Sequence, residues 1–265
     1  MPVHDSLGDR MKEYEGRNQY YLQKRTPVCI RVDMRAGHTF TRGFARPFDE
    51  VFGNAMVRTM EYCAKNIGNC VFAYCQSDEI TFILVDYAKL ETDAWFDYRT
   101  DKLCSISASM ATMAFNRFFE MEMNVFKASH TIMDTNEWAY PEAGALYGAY
   151  MLSASRGAMF DARCFNIPKE EATNLVYWRQ LDATRNSIQM VGQANFSHSE
   201  LQGCSCSVIQ DMLHEQKGIN WNDFPTRWKR GTAWTRAGGV DFEMPILKGD
   251  GRKYVDDVIY VGEGM

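Results

Sequence analysis

Two aspartates in this chain have the setting of a divalent-metal site. Asp33 closes the apolar run 28–32, and Asp78 sits in Gln76-Ser77-Asp78-Glu79, between the apolar runs 71–75 and 80–85. A carboxylate at a strand end and another on the tip of a neighbouring hairpin can share Mg²⁺. They leave ligand positions open for water and phosphate oxygens, because Mg²⁺ takes oxygen donors and dehydrates reluctantly. Two such ions on shared carboxylates neutralise a triphosphate, orient a nucleophile and stabilise a leaving pyrophosphate, which is the chemistry of nucleotidyl transfer. Taken singly, each aspartate has a plainer explanation, as a strand end or as turn chemistry.

The neighbours of these residues extend the chemistry. Glu79 follows Asp78 and points to the opposite face in an extended chain, which makes it a support residue rather than a bridging ligand. The backbone N–H groups of Arg35, Ala36, Gly37 and His38 follow Asp33 directly and could form a phosphate cradle. Ser77 can donate to a phosphate oxygen. Arg99 and Lys102 are three apart, so on a helix they share a face and could hold a second triphosphate, although a solvated basic pair has the same spacing. Arg179, Asp182, Arg185 and Asn186 form a three-four stripe that would suit RNA.

The elements that must position these groups follow from periodicity. Residues 7–22 read as a helix with Ser6 as its cap, and residues 28–32 as a strand. Val51, Phe52, Ala55, Met56, Thr59, Met60, Cys63 and Ala64 keep the spacing of one broad helical face, closed by Gly68. Two short strands around the 76–79 connection form a hairpin. A second long helix is expected over 94–121, a loop over 140–148 and a strand over 158–167. Beyond Pro168, helices are expected over 169–196 and 207–217, and strands over 231–235 and 255–261. The order βαββα fits an α+β fold, an antiparallel sheet with helices across one face as in ferredoxin-like and polymerase-palm architectures, followed by a mostly helical C-terminal part.

Composition sets outer bounds. At 265 residues, with 46% hydrophobic and 24% charged residues, the chain has the make-up of a water-soluble globular protein. No apolar run approaches the ~20 residues that span a bilayer, and Met1-Pro2-Val3-His4-Asp5 lacks the features of a secretory leader, so a cytoplasmic protein without membrane contact is expected. Cysteines such as Cys29, Cys63, Cys75 and Cys104 lie in apolar periodic segments and read as small buried hydrophobes. A formal net charge of −5 argues against a protein that coats nucleic acid non-specifically. Arginines in and beside the segments above, Arg163 among them, still allow a local basic surface.

The segments themselves are distinctive: Ile30-Arg31-Val32-Asp33-Met34-Arg35-Ala36-Gly37-His38-Thr39-Phe40-Thr41-Arg42, Arg46-Pro47-Phe48-Asp49, Tyr74-Cys75-Gln76-Ser77-Asp78-Glu79-Ile80, Phe160-Asp161-Ala162-Arg163 and Trp178-Arg179-Gln180-Leu181-Asp182. In order and spacing they resemble the tRNA-histidine guanylyltransferase family over roughly residues 10–236. The stretch Asp182-Ala183-Thr184-Arg185-Asn186-Ser187 is closer to the bacterial and phage branch than to the eukaryotic one, which carries His-Ile-Asn-Asn there.

The resemblance implies a 3′-to-5′ polymerase. It implies an N-terminal helix at 1–24, a palm-like catalytic domain at 25–170 and a tRNA-binding part at 171–265. Asp33 and Asp78, with the Met34 carbonyl, would hold two Mg²⁺ ions, and Glu79 would belong to the catalytic cluster. His38, Arg46, which replaces a family lysine, and Asp49 would contact the incoming nucleotide. Arg99 and Lys102 would hold the ATP that activates the RNA end, and Arg163, Arg179, Asp182, Arg185 and Asn186 would meet tRNA. A 5′-monophosphate end would be adenylylated with ATP, and the 3′-hydroxyl of GTP would then expel AMP. The branch points to templated repair of 5′ ends over obligate G addition, and the family to a homotetramer.

Two departures stand out, Met34 where the family has Gly and Gly37 where it has Phe. If the backbone at Met34 required φ > 0, methionine there would cost about 1 kcal/mol or more. Other readings are a nucleotide cyclase or oligonucleotide-signal synthase on the same palm, and a catalytically silent RNA-binding protein.

Overall fold

An antiparallel sheet of six strands organises the computed structural model, which describes residues 6–132 and 137–261. The strands are β1 (Val28–Met34), β2 (Cys70–Gln76), β3 (Glu79–Leu84), β4 (Phe160–Asn166), β5 (Thr232–Thr235) and β6 (Gly239–Asp241), in spatial order β4-β1-β3-β2-β5-β6. The helices are α1 (Ser6–Gly16), α2 (Gly37–Phe40), α3 (Glu50–Asn66), α4 (Thr100–His130), α5 (Pro141–Arg156), α6 (Lys169–Asn195), α7 (His198–Leu201), α8 (Cys206–Lys217), α9 (Thr226–Arg230) and α10 (Lys253–Ile259). Residues 1–5, which lack the features of a leader in sequence, lie outside the described residues.

The central strands read as continuous apolar runs because both their faces are covered. Val28, Ile30, Val32 and Met34 of β1, with Ile80, Phe82 and Leu84 of β3, pack under α3 and α4. Cys29, Phe72, Tyr74 and Ile83 face the other way, against Ala172 and Val176 of α6 and Val255 and Ile259 of α10. The expected pair of helices therefore lies on one face, and the C-terminal part adds α6 and α10 to the opposite face and β5 to the edge of β2. Asp49 caps α3 by accepting from the Phe52 N–H, which fixes where the 46–49 loop ends.

Several elements differ from expectation. Of residues 140–148, expected as a loop, all but the extended Tyr140 are helical: Pro141 occupies the first turn of α5, where its missing N–H costs nothing, and Gly144 lies so close to Trp138 that a Cβ would stand 2.9 Å from the indole. Residues 255–261 are not a strand; α10 ends at Ile259, and its buried Val255 and Ile259 are four apart, a helical spacing. The helix expected over 94–121 begins only at Thr100 and continues to His130, preceded by a 3-10 turn at Trp95–Tyr98. α1 stops at Gly16, short of residue 22, and Ser6 is its first residue rather than its cap. Among the described residues no helix is long and apolar enough to cross a membrane.

Candidate active site

The ladder of β1 and β3 brings the two aspartates together. Asp33 lies opposite Glu79, and the Met34 N–H donates to the Asp78 carbonyl at 3.0 Å, which ties the hairpin turn to the end of β1. Only Ser77 and Asp78 separate β2 from β3, and Ser77 takes a left-handed φ of 49° to close that turn. Burial, and then the charges of Asp78 and of Asp161 across the β1–β4 ladder, raise the Asp33 carboxyl above the ordinary carboxylate range, with Arg163 and Arg31 opposing. Negative charge therefore accumulates at the end of β1, where a divalent cation would relieve it. Among the described residues no three His, Cys, Asp or Glu side chains converge as a closed metal cage. The two neighbouring carboxylates are an open, all-oxygen pair of donors, a chemistry that suits Mg²⁺ with its retained waters.

Methionine at position 34 costs no backbone strain, because the left-handed residue of this loop is Ala36, at φ 56° and ψ 40°. Gly37 answers to a different demand. A Cβ there would stand 1.9 Å from Oδ2 of Asp78, so the loop approaches the aspartate more closely than any side chain permits. Of the four expected cradle donors, the Arg35 N–H is engaged by the Met159 carbonyl at 2.8 Å. Among the described residues no acceptor is bonded to the N–H groups of Ala36, Gly37 and His38.

Beside Ser77 opens a cavity of about 340 Å³. Its walls are His38, Arg42, Arg46 and Asp49 from the loop after β1, Met56 and Val57 from α3, Asn186, Ser187 and Met190 from α6, and Arg227 and Trp228 from α9. Phe48 stacks on Trp228, ring centroids 5.2 Å apart and planes 5° from parallel, and Arg227 lies 4.3 Å over the same indole while donating to Asn54. A space of this size and mixed lining suits a nucleoside. Asp49, expected to contact a base, is 8% exposed and already accepts from the Ala45 N–H, the Phe52 N–H and the Tyr150 hydroxyl. Its carboxylate shapes the cavity by holding the loop to α3 and α5.

The stripe on α6 does not face solvent as one surface. Arg179, expected to meet tRNA, is 9% exposed, with Nε 2.7 Å from Oε1 of Glu79 and Nη2 3.1 Å from Asp182, so its guanidinium is engaged within the fold. Asp182 is shared between Arg179 and Arg185, and Asn186 turns to the cavity. Of these four residues only Arg185, 60% exposed at its side chain, stands open to solvent. Arg163 is exposed on β4, 3.5 Å from Asp161. Glu79 is buried between Arg179 and Arg31, in keeping with support rather than ligation.

Arg99 and Lys102 do not share a helix face. Arg99 precedes α4 with an extended backbone and pairs with Asp101, while Lys102 stands exposed in the first turn. Sequence reasoning missed Arg42, Ser187, Arg227 and Trp228 as cavity walls. For the first, proximity to the loop after Asp33 was a usable signal; for residues 227 and 228, some 150 positions after the hairpin, nothing in the spacing was.

Comparison with known proteins identifies the family. The family model for tRNAHis guanylyltransferase (Thg1) matches residues 8–168. An uncharacterized protein of Acanthamoeba polyphaga mimivirus is 27% identical over 239 residues, which cover 86% of this chain and 76% of the relative. The tRNA(His) guanylyltransferase of Saccharomyces cerevisiae is 26% identical over 233 residues, covering 80% and 84%. A solved bacterial tRNA(His) guanylyltransferase-like protein in complex with ATP superposes with a TM-score of 0.80 at 38% identity, covering 96% of this chain and 100% of that one. A bacterial guanylyltransferase-like protein in complex with GTP gives 0.74 at 35% identity, covering 97% and 100%. The chain with the Asp33 and Asp78 pair thus belongs to the tRNAHis guanylyltransferase family, and is a nucleotidyltransferase.

Proposed function

We propose that this nucleotidyltransferase adds nucleotides to the 5′ end of tRNA in the 3′-to-5′ direction, by templated repair of truncated ends. The observation that carries this is the juxtaposition of Asp33 and Asp78 beside a cavity of nucleoside size. The residues that fit Mg²⁺ are these two carboxylates and the Met34 carbonyl; two bound ions would supply charge neutralisation of the triphosphate and activation of the attacking hydroxyl.

The chain's own groups do the rest. The cavity between the 38–49 loop, α6 and α9 takes the base and sugar, with the Phe48–Trp228 stack as its apolar wall. Ser77 and the N–H groups of Ala36, Gly37 and His38 donate to phosphate oxygens, and Arg42 and Arg46 add positive charge at the mouth. Lys102 meets the triphosphate of the activating ATP. A monophosphate end first attacks ATP and releases pyrophosphate; the 3′-hydroxyl of GTP then attacks the activated 5′ phosphate and releases AMP. Arg163 and Arg185 give tRNA phosphates exposed partners, so residues 25–170 act as catalytic palm and 171–265 contribute the RNA face and one wall of the cavity. A homotetramer and a cytoplasmic location complete the proposal.

The test is extension of 5′-truncated tRNAs that differ in the base opposite the missing position. Addition of the complementary nucleotide in each case supports templated repair, and G addition regardless of the opposing base supports guanylylation without a template. No addition to any of them contradicts the proposal.

A further inference from the structure

Glu79 and Arg179 form a buried ion pair that the proposed reaction does not consume. Glu79 is directly opposite Asp33 in the β1–β3 ladder, so their side chains leave neighbouring strands on the same face of the sheet. That face is the one α6 covers. Asp33 is among the charges that raise the Glu79 carboxyl, while Arg179 and Arg31 lower it, with burial the largest cause. Left unpaired, the Glu79 carboxylate would thus stand beside Asp33 on that face, whereas Asp161, opposite Asp33 on β4, is exposed and paired with Arg163.

Arg179 occupies it instead. Its Nε is 2.7 Å from Oε1 of Glu79, its Nη2 is 3.1 Å from Asp182, and its guanidinium lies 4.7 Å from the Trp178 ring centroid. On the other side, Arg31 Nε lies 3.6 Å from Oε2. Both partners are nearly buried, Glu79 at 8% and Arg179 at 9% exposure. Buried ion pairs of this kind are weak stabilisers, since well-packed apolar residues often do as well. Position explains the pair better than stability does.

We propose that Arg179 is a positioning residue that turns Glu79 away from the metal-binding aspartates, so that the site keeps two carboxylates and an open coordination sphere. Asp78 is then held from two sides, by the Met34 N–H on its carbonyl and by the anchored Glu79 that follows it. The proposal rests on the assignment of Asp33 and Asp78 as metal ligands. It assigns the buried arginine of the Trp178-Arg179-Gln180 segment to the metal site and not to RNA.

The test is Mn²⁺ binding to the full chain without nucleotide, followed by electron paramagnetic resonance, alongside melting in chelator. Arg179→Met removes the 2.7 Å partner and leaves Glu79 only the longer contact to Arg31, so that it can turn to the site; Mn²⁺ should then bind about tenfold tighter, the scale on which outer-shell partners move metal affinity, while nucleotide addition falls. Adding Glu79→Gln to that variant should return the affinity to the wild-type value, and Arg179→Lys, which keeps the charge, should leave it near wild type. If the methionine variant does not fold, Arg179→Gln, which retains a donor, carries the same expectation. Unchanged or weaker Mn²⁺ binding in Arg179→Met, with wild-type protein binding normally, overturns the proposal alone. Wild-type protein that binds no Mn²⁺ overturns the metal assignment and the proposal with it.

Discussion

Gly37 and Asp78 approach so closely that a Cβ on the glycine would meet Oδ2 of the aspartate at 1.9 Å. The loop after β1 and the hairpin turn therefore form one surface, and the room for the Asp78 carboxylate is made by a missing side chain. Gly37→Ala should displace that carboxylate and lower nucleotide addition by about 10²-fold, the usual cost of a 1 Å misplacement near the chemistry. Melting should change little, because position 37 has no left-handed φ. Full turnover in this variant would contradict the arrangement.

The strain in the same loop sits one residue earlier. Ala36 holds φ 56° and ψ 40°, a conformation that costs a residue with a Cβ about 1–2 kcal/mol. Ala36→Gly should stabilise the protein by roughly 0.5–1 kcal/mol after the added flexibility of the unfolded chain is counted. A thermal scan showing a lower Tm would contradict it.

The core of the palm was legible because its signals are local. The apolar runs of β1 and β3 and the three-four face of α3 need no distant partner to be recognised. α10 was misread because a short apolar segment such as 255–261 fits either period until one sees what covers it. α5 was misread because glycine and alanine suggest a loop, while Gly144 serves a close approach to Trp138. At the site, Asp33 and Asp78 lie together at the end of β1, and Ser77, His38 and Arg46 line the neighbouring cavity. Arg179 did not, because an arginine on a helix face has the same spacing whether its partner is an RNA phosphate or a buried glutamate.

Arg185 gives the cleanest division between structure and RNA binding. Its partner within the chain is Asp182, and at 60% exposure an ion pair there is worth about 0–1 kcal/mol. Arg185→Ala should leave Tm almost unchanged, raise the KM for tRNA and reduce the salt slope of tRNA binding by about one unit, since one phosphate contact is lost. An unaltered slope with a clear fall in Tm would place Arg185 in the fold and not at the interface.

Lys102 is exposed in the first turn of α4, and its proposed contact with the activating ATP gives a test that separates the two steps. Lys102→Ala should slow addition to a 5′-monophosphorylated tRNA by about tenfold or more, as expected for losing a cationic contact to a phosphate, and spare a 5′-triphosphorylated one. Arg99→Ala should do less, because Arg99 is engaged by Asp101. Equal losses on both substrates would remove Lys102 from the activation step.

The most direct measurement is the fate of labelled GTP with a 5′-truncated tRNA and Mg²⁺, for wild-type protein and for Asp33→Asn and Asp78→Asn. The arrangement of the two aspartates predicts label joined to the tRNA 5′ end by wild type, and a loss on the order of 10²–10³-fold or more in each variant with melting preserved, as for removal of a main transition-state stabiliser. A cyclic nucleotide product, no product, or label incorporated by Asp33→Asn at the wild-type rate would contradict it.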